Sequence, residues 1–322
     1  MNDREAFLVL RELEPLTTSP VAYGFAVVLG LVWGSFANVC IYRWPPTDEH
    51  PKGRSVVKPP SHCSACKTPI RWYDNLPLVS WLWLRGRCRA CKAPFSARYL
   101  IVEATTGALF GVAWWASVTA NQLFEPLDVR LIRFAIAAAF CFVMVVITFI
   151  DLDHKLILNK ITIPSMIVFY GLGLLLPERV WWQGLLGAGI GYGVPWLIGE
   201  IYYRVTGREG LGLGDSMLLA VIGALLGWRG VVVALFGGSV IGSVLGITIL
   251  LATRKHDEAE DEEKPENQNT DKPATAESID GEPDAPSVMR TELPFGPFLA
   301  MAAVFYLFAE PWIQLNFNLL GG

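Results

Sequence analysis

The sequence predicts an all-α polytopic membrane protein with about eight transmembrane helices and one small cytoplasmic module built on four cysteines. Three observations predict it. Apolar residues fill 52% of the 322 positions and mean hydropathy is +0.39, which is too apolar for an ordinary soluble domain. Apolar runs of about 18–25 residues recur along the chain, each enough helix to cross about 30 Å of hydrocarbon. Basic residues crowd into the loop that follows the first run, and the positive-inside bias assigns such a loop to the cytoplasm.

Residues 1–19 are polar and mildly acidic and read as a periplasmic tail. They lack a cationic n-region, so no cleavable signal is expected. The first span covers 20–42. Further spans are expected near 98–120, 132–150, 157–176, 180–202, 211–228, 230–252 and 294–318, of which 211–228 is short and opens on glycines. Alternation puts the turn at 151–156, the loop at 203–210 and the segment from Arg254 on the same side as the basic loop. Residues 98–252 then form a transmembrane core and 293–322 the last span. Between them, 253–292 is acidic and Pro-rich. From His256 to Glu292, 13 acids face three basic residues, a net of −10 that leaves the rest of the chain at +6 although the formal total is −4. Such a segment cannot bury enough apolar surface to offset its ordering entropy, so disorder is expected there. No internal repeat is evident.

Residues 43–97 form a different unit, basic and aromatic, with Cys63-x2-Cys66 and Cys88-x2-Cys91 spaced as CxxC–x21–CxxC. Two close pairs of thiolates can surround one tetrahedral Zn2+. A metal would supply folding energy that so small a core lacks. Two disulfides are the competing reading, and a reducing cytoplasm disfavours them. With four protein ligands no coordination position stays open, so the ion is structural. Cys40 and Cys141 lie within spans and read as small apolar filler.

Two acids stand where hydrocarbon begins or ends. The run "CFVMVVITFIDLD" closes on Asp151, and "LGLGDSMLLAVIGALLGW" opens on Asp215. Acids inside membrane segments are costly and point to function. Singly, each has a plain explanation: Asp151 ends a helix beside Asp153 and His154, and Asp215 N-caps one. Together, separated by two spans, they fall on one membrane face. Two carboxylates held close together share a proton, so that one activates water while the other donates to a carbonyl oxygen. The Gly-x-Gly before Asp215 lets backbone approach closely, and irregular backbone at this depth must line a protein-enclosed or wet cavity.

"GLGLGD" resembles the GxGD motif of intramembrane aspartyl proteases. Add "GSFANVCIYRWP", the paired CxxC module, "RYLIVE", "IDLDHKLILN" and "LPFGPFLA" in that order, and residues 20–318 resemble the bacterial type IV prepilin peptidases. The resemblance implies an inner-membrane enzyme that cuts the basic leader from type IV prepilins and pseudopilins at the cytoplasmic surface. It also implies methylation of the new N-terminus with S-adenosylmethionine. It carries the catalytic pair onto Asp151 and Asp215, with Asp153 as runner-up, and the zinc ligands onto Cys63, Cys66, Cys88 and Cys91. Two positions depart from the common pattern: Met217 stands where Lys is frequent, and Leu158 where Pro is. No Gly-rich loop marks a methyl-donor site. Glu103 is a candidate polar contact for that activity, or simply a helix-end carboxylate paired with Arg98 or solvated. Glu209 reads as a neighbour of the catalytic loop, and Asn38 and Arg43 as anchors of the first span with headgroup contact.

Two other classes compete. A proton-coupled secondary transporter would place acids near mid-bilayer with paired broken spans. A zinc-bearing scaffold would tolerate loss of both aspartates. Nothing suggests a nucleic-acid partner.

Overall fold

The computed structural model describes residues 14–121, 125–207, 212–262 and 294–317. Ser19 starts the first helix by accepting the Ala22 amide at 3.3 Å, and Pro20 fills the first helical position, where a missing N–H costs nothing. This helix, α1, runs Pro20–Arg43 and is apolar on all sides. A compact module follows, with a 3-10 turn at Trp72–Asn75 and a short α2 at Val79–Trp83. Next come α3, Arg98–Trp114, continued by a π turn to Thr119, and α4, Leu127–His154. Then follow α5, Asn159–Gly173, and α6, Trp181–Thr206. The last two are α7, Leu213–Glu262, and α8, Gly296–Phe317. Among the described residues there are no strands, only three isolated bridges within 47–94.

Eight spans are not confirmed: among the described residues five helices are long and apolar enough to cross a membrane, Pro20–Arg43, Arg98–Thr119, Leu127–His154, Leu213–Thr248 and Gly296–Ile313. The difference has three sources. With 15 residues, α5 reaches only about 22 Å. Six glycines, Gln183 and the tyrosines dilute the hydropathy of α6. The runs expected at 211–228 and 230–252 form one element, broken at Gly227 (φ 70°, ψ −176°). A helix also continues to Glu262, ten residues into the stretch expected to be disordered from 253; residues 263–293 lie outside the described residues.

At Gly227 the chain reverses. Eight residues of straight helix rise about 12 Å, yet a Cβ on Gly223 would sit 2.8 Å from Val231 Cγ2. The second arm runs antiparallel to α8, with Gly230 beside Tyr306 and Gly242 beside Phe298. In lipid, small residues let helices pack closely, and two seams use them. Gly30 and Gly34 of α1 press on Thr106, Phe110 and Glu103 of α3, while Gly187 and Gly191 of α6 meet the first arm of α7. The core gathers Phe140, Met144 and Ile147 of α4, Leu218 and Ile222 of α7, and Leu299 of α8, with Phe169 of α5 edge-on to Phe140 at 5.3 Å. Cys40, within it, and Cys141 are fully buried, as apolar filler should be.

A Cβ on Gly34 would lie 2.7 Å from the Glu103 Cα, so Gly34→Leu must push α1 off α3. Such overpacking costs about 1–3 kcal/mol. The variant should unfold several degrees below the parent by fluorimetry in detergent, and an unchanged melting curve would count against this seam.

Candidate active site and metal centre

The last turn of α4 presents two carboxylates in different settings. Asp153 is ion-paired with Arg98. The same guanidinium donates to the Phe149 carbonyl at 2.9 Å and lies 5.3 Å over the Phe149 ring. Asp151 is 5% exposed, and its Oδ2 has no partner among the described residues. The helix stops just beyond, where Lys155 turns left-handed (φ 49°) and its amide donates to the Asp151 carbonyl at 2.8 Å.

Three non-helical residues, Leu156–Leu158, follow. Ile157 among them is the shared contact of the site. A Cβ on Gly214 would lie 3.0 Å from Ile157 Cβ, and one on Gly296 would lie 3.2 Å from Ile157 Cδ1. The head of α7, bearing Asp215, and the head of α8 therefore pack on one side chain. Gly296 also abuts Asp151: its backbone amide faces the carboxylate, and any Cβ there would sit 2.5 Å from Oδ2. Asp215 occupies the first turn of α7 rather than its cap. Gly212 lies on it from the preceding loop, where a Cβ would be 3.4 Å from Oδ2, and the favourable end of the helix dipole faces it. Asp151 is the charged group that acts on Asp215. The structure thus brings Asp151 and Asp215 to one rim of the bundle and holds Asp153 aside. Thr162 Oγ1 and Ser216 Oγ are buried and unpartnered as well; buried polar atoms of this kind are satisfied by water or ligand. Glu209 lies outside the described residues.

The four cysteines converge. Their Sγ atoms lie within 4.8 Å of one another, with Cys63–Cys91 at 3.8 Å and Cys66–Cys88 at 4.0 Å. Ligands 2.3 Å from a tetrahedral ion are about 3.8 Å apart, so the set fits one metal, and all six cysteines of the chain are free. Thr68, whose Oγ1 is 3.2 Å from Cys66 Sγ, draws that thiol down to about 6, and the Cys91 and Ala90 amides lower Cys88. Both effects favour the thiolates that metals bind, whereas in the free thiol set, against the lowering Ala93 amide, burial and the neighbouring thiols raise Cys91 to about 11.

Each pair sits on the same loop. The Cys63 amide donates to Thr68 O and the Lys67 amide to Cys63 O; the Cys88 amide donates to Ala93 O and the Lys92 amide to Cys88 O. Lys67 and Lys92 both have positive φ. This is an internal repeat, Cys-x-Ala-Cys-Lys-x-Pro, at 63–69 and again at 88–94. It corrects the reading that none is present. Arg89 locks the second loop to the 3-10 turn by a bidentate bond to Asp74, with 3.0 Å contacts to both oxygens, which holds the Asp74 carboxyl below its usual range.

Three expectations about polar residues change. Glu103 is neither solvated nor paired with Arg98: it is 9% exposed, and Oε2 accepts the Leu78 amide at 2.8 Å. Leu78 has φ 57°, a conformation that persists where surroundings over-determine it. Arg43 is buried and donates to the Ser55 and Pro59 carbonyls at 2.9 and 2.6 Å, so it anchors the module rather than a headgroup. Asn38 donates to Tyr99 O at 3.1 Å.

Comparison with known proteins follows the same division. The bacterial peptidase A24 N-terminal domain matches residues 28–117, which hold all four cysteines. The type IV leader peptidase family matches residues 138–247, which hold both aspartates. A prepilin leader peptidase/N-methyltransferase from Myxococcus xanthus is 32% identical and covers 92% of each chain. That of Neisseria gonorrhoeae is 36% identical over 74% of this chain and 86% of its own. That of Stutzerimonas stutzeri is 33% identical over 90% and 92%. No solved structure matches.

The thiol geometry predicts about one tightly held metal ion per chain by elemental analysis. Cys63→Ser/Cys66→Ser should lose it; retention of the full metal content would remove the cysteine cluster as its site.

Proposed function

This chain belongs to the type IV leader peptidase family, and from that premise we propose that it removes the basic leader of type IV prepilins and pseudopilins, then N-methylates the exposed residue. Asp151 and Asp215 form the catalytic pair. The observation that carries this reading is their meeting around Ile157, with Asp151 buried and its Oδ2 unpaired while Asp153 is bound to Arg98.

The chemistry follows from the arrangement. Like charges at short range disfavour double ionisation, so the pair shares one proton. The ionised carboxylate takes a proton from water as that water attacks the scissile carbonyl, and the protonated one donates to the carbonyl oxygen. Collapse of the tetrahedral species expels the amine with a returned proton. The Gly296 amide holds Asp151 in place while the Arg98 bond to Phe149 O fixes the turn that carries it. A substrate whose leader is soluble and whose mature end is an apolar helix brings its scissile bond to this depth, at the ends of α4 and α7.

The metal held by Cys63, Cys66, Cys88 and Cys91 is structural Zn2+: four thiolates close its coordination and leave no position for substrate. S-adenosylmethionine supplies a methyl group to the new amine. The basic loop between α1 and α3 supports a site on the cytoplasmic face of the inner membrane. Acids gathered at one end of the bundle do not suit a transporter, which needs them near mid-bilayer. A scaffold has no use for an unpaired buried carboxylate.

In a strain without other such peptidases, Asp151→Ala or Asp215→Ala should lower prepilin cleavage by at least about a thousandfold, the scale of lost acid–base catalysis. Asp153→Ala should stay within about tenfold of the parent, because a half-exposed ion pair is worth little. Full processing by the Asp215→Ala protein would rule out this mechanism.

A further inference from the structure

Between the two cysteine loops, the C-terminal end of α1 and the head of α3 lies a cavity of about 600 Å3, within the range that encloses a small organic ligand. Asp151, Ile157, Asp215 and Gly296 take no part in its lining, so it is distinct from the aspartate pair. Tyr42, Trp81 and Tyr99 give it aromatic faces, and Asn38 and Glu103 give it acceptors. Asn38 has committed its amide nitrogen to Tyr99 O, which leaves its carbonyl oxygen as the available end. Trp81 Nε1 is buried without a partner among the described residues. Among the other polar lining groups, Arg43 is engaged on two loop carbonyls and Asp74 on Arg89, while Lys67 and Arg87 add positive charge suited to a carboxylate. A ligand suited to this cavity brings a flat ring for the aromatic walls, an acceptor for the indole N–H, and a cation for Glu103.

The geometry points to this cavity as the binding site of the methyl donor, an adenine-bearing sulfonium amino acid, with Trp81 and Glu103 as its recognition residues. The assignment rests on the methyltransferase reading given above. Adenine offers the plane and the ring-nitrogen acceptors; the sulfonium and α-ammonium groups offer the cations. In the transfer, a bond forms between the substrate's free α-amine nitrogen and the methyl carbon. The carbon–sulfur bond breaks with its electron pair left on sulfur, a thioether departs, and the amine's surplus proton passes to water. A metal ion held by the four thiolates would fix both loops that form one wall of the cavity without taking part in the transfer.

Calorimetric titration of the detergent-purified full chain with S-adenosylmethionine tests the assignment, alongside intact-mass assays of leader removal and methyl gain. Trp81→Phe should weaken binding about fivefold and Glu103→Gln about tenfold or more, with leader removal and metal content kept. Wild-type affinity in both variants, from a protein that still methylates, overturns the cavity assignment alone. Absence of any methyl gain by the wild-type chain overturns the methyltransferase reading, and this assignment with it. Because Glu103 also receives the Leu78 amide, a Glu103→Gln protein that loses metal or cleavage leaves the decision to Trp81→Phe.

Discussion

A charge at the centre of a bilayer costs about 2.5–3.5 kcal/mol even on lenient scales, and that cost decides where this chain can do chemistry. Polar side chains must collect at helix ends, where unpaired amides and carbonyls wait for partners anyway. One end of the bundle meets both needs at once. Arg98, opening α3, takes the Phe149 carbonyl near the end of α4. Lys160, opening α5, takes the Trp44 carbonyl just past α1. The amide of Gly296, opening α8, faces Asp151. Helix termini that each need a partner thereby serve one another, and the acids come together as a consequence.

The opposite end gives the control. It too carries buried or half-buried ions, but three glutamates there have arginines: Glu310 with Arg179 at 2.6 Å, Glu178 and Glu125 with Arg133 at 2.5 and 2.6 Å. Arg179 also donates to the Leu226 carbonyl at 3.1 Å, beside the reversal at Gly227. Those pairs hold the turn-back of α7 and the start of α6 in register. A buried ion left without its partner is strongly destabilising, so the unpaired Oδ2 of Asp151 contrasts with those arginine-bound carboxylates, although Arg179 Nε at that end is itself buried without a partner among the described residues.

The helical class, the cysteine quartet and the two acids were legible in the sequence because each is a local pattern: long apolar runs, a CxxC spacing, an acid at the edge of a run. The knuckle repeat was legible too, since Cys-x-Ala-Cys-Lys-x-Pro appears twice, but it is too short for periodicity at domain scale to detect. What could not be read is what depends on contacts between distant residues. Nothing in "DHKLILN" marks Ile157 as the side chain on which Gly214 and Gly296 both rest. Nothing local says that Arg98 chooses Asp153 over Glu103, a choice that separates a structural carboxylate from a free one only two positions away. The span count goes unconfirmed for a similar reason. Hydropathy sees two apolar runs around Gly227 but not that they form one broken element, and it cannot tell a 15-residue helix packed inside a bundle from one that crosses lipid.

Arg98 also bears on how two reactions fit in one chain. It is the first residue of α3, immediately after the cysteine module, and its guanidinium reaches the turn that carries Asp151. Glu103, little more than one turn further along the same helix, floors the cavity. One helix head therefore touches both regions, and no flexible linker separates them. That geometry suits a substrate anchored by its own membrane helix. Cutting exposes an amine that cannot leave the plane of the bilayer, so a second site for it must lie at the same depth, reached by lateral movement alone. A methyltransferase domain hung on a long tether would gain nothing from this restriction. A module set between the C-terminal end of α1 and the head of α3, with Arg98 tied to α4, would keep the second site proposed above at the level where the first leaves its product.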